Sequence, residues 1–183
     1  MAARLRRRFA AISLVVSIAI AYSVAGCAAT ESTVRPSASL APRPTITPAV
    51  AATLSEVTRL LGQRSLQVRV PQVLYRPGEA AEVASASRAV VQAILPDDPD
   101  HGYITVYDFP DADTAQAAAE SQARYVASGP GRVQFPPDAR FTIRRSGSTV
   151  LFYAFSPGAS TDERAPEIEA VLRTFGIEVD VPS

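Results

Sequence analysis

Two alternating segments on either side of the pair Ser146 and Gly147 constrain the fold of this chain more than any other feature. Apolar and polar residues alternate over residues 140–145 and again over residues 148–155, which is the period-two pattern of half-buried strands. The Ser-Gly pair between them is typical of a tight turn. We therefore predict an antiparallel β-hairpin at this place in the chain.

The residues that precede this hairpin predict further strands. Residues 66–70 alternate in the same way, and residues 103–107 are rich in the β-branched and aromatic side chains that strands favour. Residues 88–95 fit either a short helix or a strand. We predict a strand, because the turn residues at 96–102 would join it to residues 103–107 as another hairpin. Residues 77–87 have few large apolar side chains and are predicted to form a loop.

Three helices complete the predicted pattern. The first covers residues 48–61, where apolar side chains recur at helical spacing. The second is capped by Asp111 and stopped by the glycines and proline of residues 129–131. The third begins with Pro166 and ends before Gly176.

Hairpins separated by helices predict an α+β fold, in which an antiparallel sheet carries helices packed on one face. Residues 103–175 follow the order β-α-β-β-α and look like part of a ferredoxin-like arrangement. Residues 103–157 are also similar to small secreted bacterial domains of unknown function. Likeness at the level of a fold implies no function and no site residues.

The first 26 residues have the layout of a secretory signal peptide. The basic start contains four arginines, Arg4, Arg6, Arg7 and Arg8. An uncharged stretch covers residues 9–26. It leads into a short motif of one aliphatic residue, two small residues and the only cysteine of the chain: Val24, Ala25, Gly26 and Cys27.

This motif resembles the lipobox of bacterial lipoproteins, whose cysteine receives a diacylglycerol and becomes the first residue after cleavage. The resemblance implies that residues 1–26 are removed and that Cys27 anchors an extracytoplasmic protein to the cell membrane. Two acyl chains, such as palmitate, hold a protein stably where one chain binds only marginally. Residues 27–47 would then be the lipidated cysteine and a Pro/Ala/Ser-rich tether, and residues 48–183 a single α+β domain.

Two alternatives to lipidation remain open at this point. The 18 residues of segment 9–26 are at the lower limit for crossing a bilayer, so an uncleaved signal anchor is one alternative. Ordinary secretion with a free thiol is the other. The run from Arg6 to Phe9 also matches the core of a twin-arginine export signal, but an arginine-rich start matches it easily by chance.

The composition limits the chemistry of the mature chain. Removal of residues 1–26 takes away four arginines and no acidic residue, so 14 basic and 18 acidic side chains remain and the net charge becomes about −4. This balance argues against a nucleic-acid partner. With no lysine, one cysteine and one histidine, the chain excludes a Schiff-base lysine, an internal disulfide and multi-histidine or thiolate metal sites. We predict no cofactor, no metal site and no catalytic residue.

His101 is the one side chain that ordinarily titrates near neutral pH. It accompanies three aspartates in a turn, and a fourth follows the next strand: Asp97, Asp98, Asp100 and Asp108. The sequence identifies no nucleophile for His101, so we interpret it as a solvated turn histidine. The four carboxylates could bind Ca²⁺, but their spacing is not that of an EF-hand, which favours turn-forming and capping roles.

Three further features have both a binding interpretation and a structural one. Six aromatic residues could line a pocket but are more often core: Tyr103, Tyr107, Tyr125, Phe152, Tyr153 and Phe155. Arg144 and Arg145 could contact an anion, or form a solvated hairpin edge. The long connection at residues 131–138 could bind a ligand, but we favour its covering the open end of the sheet.

These patterns indicate a membrane-anchored lipoprotein whose domain is a non-catalytic binding or envelope-associated module. Its partner would be an envelope protein or a small ligand. A carboxylate-based envelope hydrolase is the alternative from another class, since glycosidase chemistry needs only two acids. The same domain on an uncleaved signal anchor is the third hypothesis.

Overall fold

A computed structural model describes residues 46–183 of the chain. The predicted signal peptide, the lipobox-like motif with Cys27 and nearly all of the predicted tether lie outside the described residues. Within the described range, no helix combines the length and the hydropathy needed to cross a bilayer.

This part of the chain contains five helices and six strands. The helices are α1 (Pro48–Gly62), α2 (Ala81–Ala84), α3 (Ala112–Ala127), α4 (Gly129–Arg132) and α5 (Ala165–Leu172). The strands are β1 (Val68–Arg69), β2 (Ser87–Ala93), β3 (Tyr103–Asp108), β4 (Arg140–Ser146), β5 (Thr149–Phe155) and β6 (Ile177–Glu178).

The strands form one antiparallel sheet in the order β1-β2-β3-β5-β4-β6. Both predicted hairpins are confirmed: β2 pairs with β3, and β4 pairs with β5 around a turn in which Gly147 has φ +56°. The predicted helix caps are also present, because Thr47 accepts a hydrogen bond from the Val50 amide and Asp111 accepts one from the Thr114 amide. The α+β class is therefore confirmed.

Helices cover both faces of the sheet, whereas the sequence predicted one face. The apolar side chains of α1 and α5 pack with Ile104, Val106 and Leu151 in one cluster. The alanines of α3 pack with Tyr107 and Phe152 in a second cluster. Since neighbouring side chains of a strand point to opposite faces, the two clusters lie on opposite sides of the sheet.

The direction of the two crossovers explains this difference. The connections β3-α3-β4 and β5-α5-β6 each step two positions the same way across the sheet. Their first strands, β3 and β5, run antiparallel. Right-handed crossovers from antiparallel strands in the same direction must cross opposite faces. The segment β3-α3-β4-β5 is nevertheless a split βαβ unit, as the ferredoxin-like likeness predicts.

Four local features differ from the prediction. Residues 77–87 contain α2 and the first residue of β2, so they are not a simple loop. The residues that were predicted to stop α3 form the short helix α4, whose first turn is capped by the Ser128 hydroxyl. The first strand has only two residues instead of five, and β6 was not predicted. Both short strands lie at the edges of the sheet, where each pairs with a single neighbour.

Candidate functional site

An apolar groove of about 390 Å³ runs between the N-terminal half of α1 and the outer edge of β2. It is lined by Ile46, Thr47, Val50, Leu54, Val70, Asp108 and residues 87–91. The α1 side chains face the groove because the apolar stripe of this helix packs against the sheet. We name this feature the β2 groove.

The edge of β2 that borders the groove is open over most of its length. Strand β1 pairs only with Ala93 and Gln92. Continued by two residues, the same register would place Pro71 opposite Val90. Proline has no amide hydrogen to donate, so the ladder ends there. No described residue pairs with the first five residues of β2 on this side.

The register also identifies which backbone groups point into this open edge. The Ala93 amide donates to the Gly102 carbonyl on the β3 side at 2.9 Å, and the Ile94 amide donates to Gln67 on the β1 side at 2.8 Å. Backbone groups alternate in direction along a strand. Arg88 and Val90 therefore present their amides and carbonyls away from β3, toward the open edge.

Exposed apolar side chains lie in and close to the β2 groove. Val70 and Ile46 line the groove and are 78% and 53% exposed. Val73 and Leu74, which follow shortly after Val70, are also exposed. A group of exposed aliphatic side chains beside a groove marks an interaction surface more specifically than single ones do.

Asp108 gives the β2 groove a negative charge that no described side chain neutralises. Its carboxylate is half-buried at the end of the groove beside Ser87, and it has no hydrogen bond or ion pair among the described residues. The other charged lining residue, Arg88, is already paired with Glu79 at 2.6 Å. The groove thus has one acidic end, and aliphatic side chains form most of the rest of its wall.

Glu79 is the buried acidic centre of a cluster beside the groove. Its side chain is 2% exposed, and its carboxylate accepts hydrogen bonds from Arg88, from Arg76 at 2.8 Å and from the Tyr107 hydroxyl at 2.7 Å. Burial, together with the hydrogen bond to this carboxylate, raises the pKa of Tyr107. Glu79 was not predicted from the sequence, because it lies in a segment with few large apolar residues and its partner Tyr107 lies 28 residues further along the chain.

The segment 71–80 follows Val70 of the groove and contains Glu79 of this cluster. Tyr75 stacks on Tyr103 with 4.2 Å between the ring centroids, and burial raises the pKa of Tyr75 to about 12. At the end of the segment, the Gln122 side chain of α3 accepts from the Ala80 amide at 2.8 Å and donates to the Gly78 carbonyl at 2.9 Å. These contacts fix the chain that follows Pro71.

His101 pairs with Asp98 through its Nδ1 atom, and Asp98 also accepts a hydrogen bond from the Ser160 hydroxyl at 2.7 Å. Burial alone would raise the pKa of Asp98, but the hydrogen bonds from His101 and Ser160 outweigh it and lower the pKa. The aspartate, not the histidine, lies at the centre of this group. A serine activated by histidine needs the histidine in the middle.

The same contacts fasten the turn at residues 96–102 to the loop after β5. The Asp97 amide donates to Asp162 at 3.3 Å, and Thr161 donates to the Asp97 carbonyl at 2.5 Å. The four aspartates considered for calcium do not converge, since no three metal-ligating side chains cluster among residues 46–183. These hydrogen bonds hold the two loops together and have a structural role.

The other candidates from the sequence have structural places. Phe135, in the connection 131–138, packs edge-on against Phe141 with centroids 4.9 Å apart, so this side chain joins the second apolar cluster on the face of the sheet. Arg144 is buried and binds Glu178 at 2.9 Å, which corrects the expectation of a solvated hairpin edge, because β6 covers it. The buried members of the aromatic set are divided between the two apolar clusters: Tyr107, Phe152, Tyr153 and Phe155.

The residues of the lipobox-like motif, Val24, Ala25, Gly26 and Cys27, lie outside the described part of the chain, so lipidation stays a prediction. The β2 groove was not predicted from the sequence. Pro71, directly after an alternating segment, is the signal that could have indicated it. Comparison of the chain with protein-family models, with curated proteins and with solved structures found no match.

Proposed function

We propose that this chain is a membrane-anchored extracytoplasmic lipoprotein whose domain acts as a non-catalytic binding module, with the β2 groove as its ligand site. The observation that carries the binding function is the juxtaposition of an apolar groove with an unpaired strand edge. The lipobox-like motif ending in Cys27 supports the anchor.

Two features favour binding over catalysis. Asp98 binds both His101 and Ser160, and the bond to Ser160 fastens the loop after β5. The partner of His101 therefore has a structural role. Glu79 accepts from three side chains and so serves as an internal anchor. The groove itself presents aliphatic side chains and backbone groups, which recognise a ligand without reacting with it.

Site-specific photo-crosslinking in intact cells tests this proposal. A photoreactive residue at position 70 should give a discrete adduct, because Val70 lines the groove. The same residue at position 133 is the control, since Val133 is 82% exposed, comparable to 78% for Val70, and does not line the groove. Adding Leu54→Glu should abolish the adduct from position 70. Equal adducts from both positions, or none from position 70, would contradict the proposal.

A further inference from the structure

We infer that the ligand of the β2 groove is an extended polypeptide segment that adds to the sheet as a strand beside β2 and carries a basic residue at the end nearest Ser87. This inference rests on the proposed binding function and names its partner class. The backbone edge, the shape of the groove and its charge each support it.

The backbone edge requires a partner that can hydrogen-bond at strand spacing. Arg88 and Val90 each present one amide and one carbonyl, two residues apart along the strand. An added strand offers matching groups at the same interval, and the added main-chain hydrogen bonds supply affinity in this mode of recognition. The five residues from Ser87 to Val91 extend about 17 Å, enough for a short peptide.

The groove then accepts every second side chain of that peptide. Alternate residues of an added strand would point to the α1 face of the sheet, where Val50 and Leu54 form the wall. A segment of five residues would place two or three side chains there. Aliphatic side chains fit this wall, since burying them removes apolar surface from water.

Asp108 identifies the charge of the peptide. It lies opposite Ser87 in the β2–β3 ladder, at the far end of the open edge, and none of the described side chains is bonded to its carboxylate. Covering it with an uncharged ligand would desolvate the carboxylate without compensation. A lysine or arginine at that end of the peptide removes this penalty. If β2 of a second copy paired with this edge instead, the basic residue on that strand would be Arg88. Arg88 already forms an ion pair with Glu79, so it would not neutralise Asp108.

Fluorescence anisotropy with labelled peptides tests the inference on the full mature protein in detergent. The probes are seven-residue peptides that alternate valine with threonine. Each peptide carries a single lysine, at its N-terminus in one and at its C-terminus in the other, and a matching peptide has alanine in place of that lysine. We expect saturable binding of at least one of them. N-methylation of one alternating set of peptide amides should weaken binding at least about 30-fold, and methylation of the other set less than about 3-fold, because only one set faces β2.

The charge is tested with Asp108→Asn. This variant should weaken binding of the lysine peptide about 5- to 10-fold and leave the matching alanine peptide unchanged. Asp113→Asn, in the first turn of α3 and outside the groove lining, is the matched control and should change neither.

Other outcomes would overturn the inference. A loss below about 3-fold from both methylated sets would show docking through side chains alone, equally large losses from both sets would contradict strand pairing along one edge, and the absence of binding by every peptide would exclude the peptide class. A position-70 adduct of twice the chain mass would identify a second copy as the occupant. An adduct to residues 28–45 would identify the chain's own N-terminal segment. An external adduct without peptide binding would leave the binding function intact while refuting its peptide ligand.

Discussion

Glu79→Ala should lower the free energy of unfolding by about 2 kcal/mol, because the groups that bond to this buried carboxylate lose their partner and the partly exposed arginines recover only some of the loss by hydration. Arg88 would lose its partner, and the Tyr107 hydroxyl would lose its acceptor in the second apolar cluster. Glu79→Gln keeps the shape and part of the hydrogen bonding, so its loss should be smaller. Urea denaturation of the purified protein measures both values.

Glu120→Ala is the matched control for this prediction. Glu120 is on the exposed face of α3 and pairs with Arg124 at only 3.9 Å, so its removal should cost well under 1 kcal/mol. If Glu79→Ala cost no more than Glu120→Ala, the cluster around Glu79 would not anchor segment 71–80.

Cys27→Ala should abolish incorporation of labelled palmitate into the protein. The chain has no other cysteine, and the lipobox resemblance implies that this thiol carries the diacylglycerol. The variant should also lose its membrane attachment, to which each buried methylene of an acyl chain contributes about 0.8 kcal/mol. Metabolic labelling followed by gel electrophoresis measures it, with Ser32→Ala as a nearby control that should keep the label.

Mass spectrometry of the wild-type protein checks the same proposal independently. The mature chain should begin at Cys27, carry the mass of a diacylglyceryl group and lack residues 1–26. An intact N-terminus without added mass would favour the uncleaved signal anchor. A chain that begins near residue 27 with a free thiol would indicate ordinary secretion.

The strands of the two hairpins could be predicted from the sequence, because alternation along a strand is a local property. The helix caps at Thr47 and Asp111 are local in the same sense. The position of the helices on both faces could not be predicted, since it depends on where β6 joins the sheet. That strand has two residues and pairs with β4 over a long separation in sequence.

The candidate site could be predicted only in part for the same reason. Pro71 indicates where β1 ends, but the open edge follows from the register of β1 against β2, which brings Pro71 opposite Val90. The charge of the groove depends on whether Arg88 pairs with Glu79 or with Asp108. Glu79 and Asp108 look alike in sequence, and only tertiary contacts pair one of them with Arg88.

Residue-resolved amide hydrogen exchange of the full mature protein without ligand tests the central claim, that the outer edge of β2 is open for binding. Ala89 and Val91 point their amides toward β3 and should exchange slowly. Arg88 and Val90 point theirs to the groove, and should exchange about 100-fold faster because no strand protects them. Equally slow exchange at all four amides would mean that the edge is already covered, and would contradict the account.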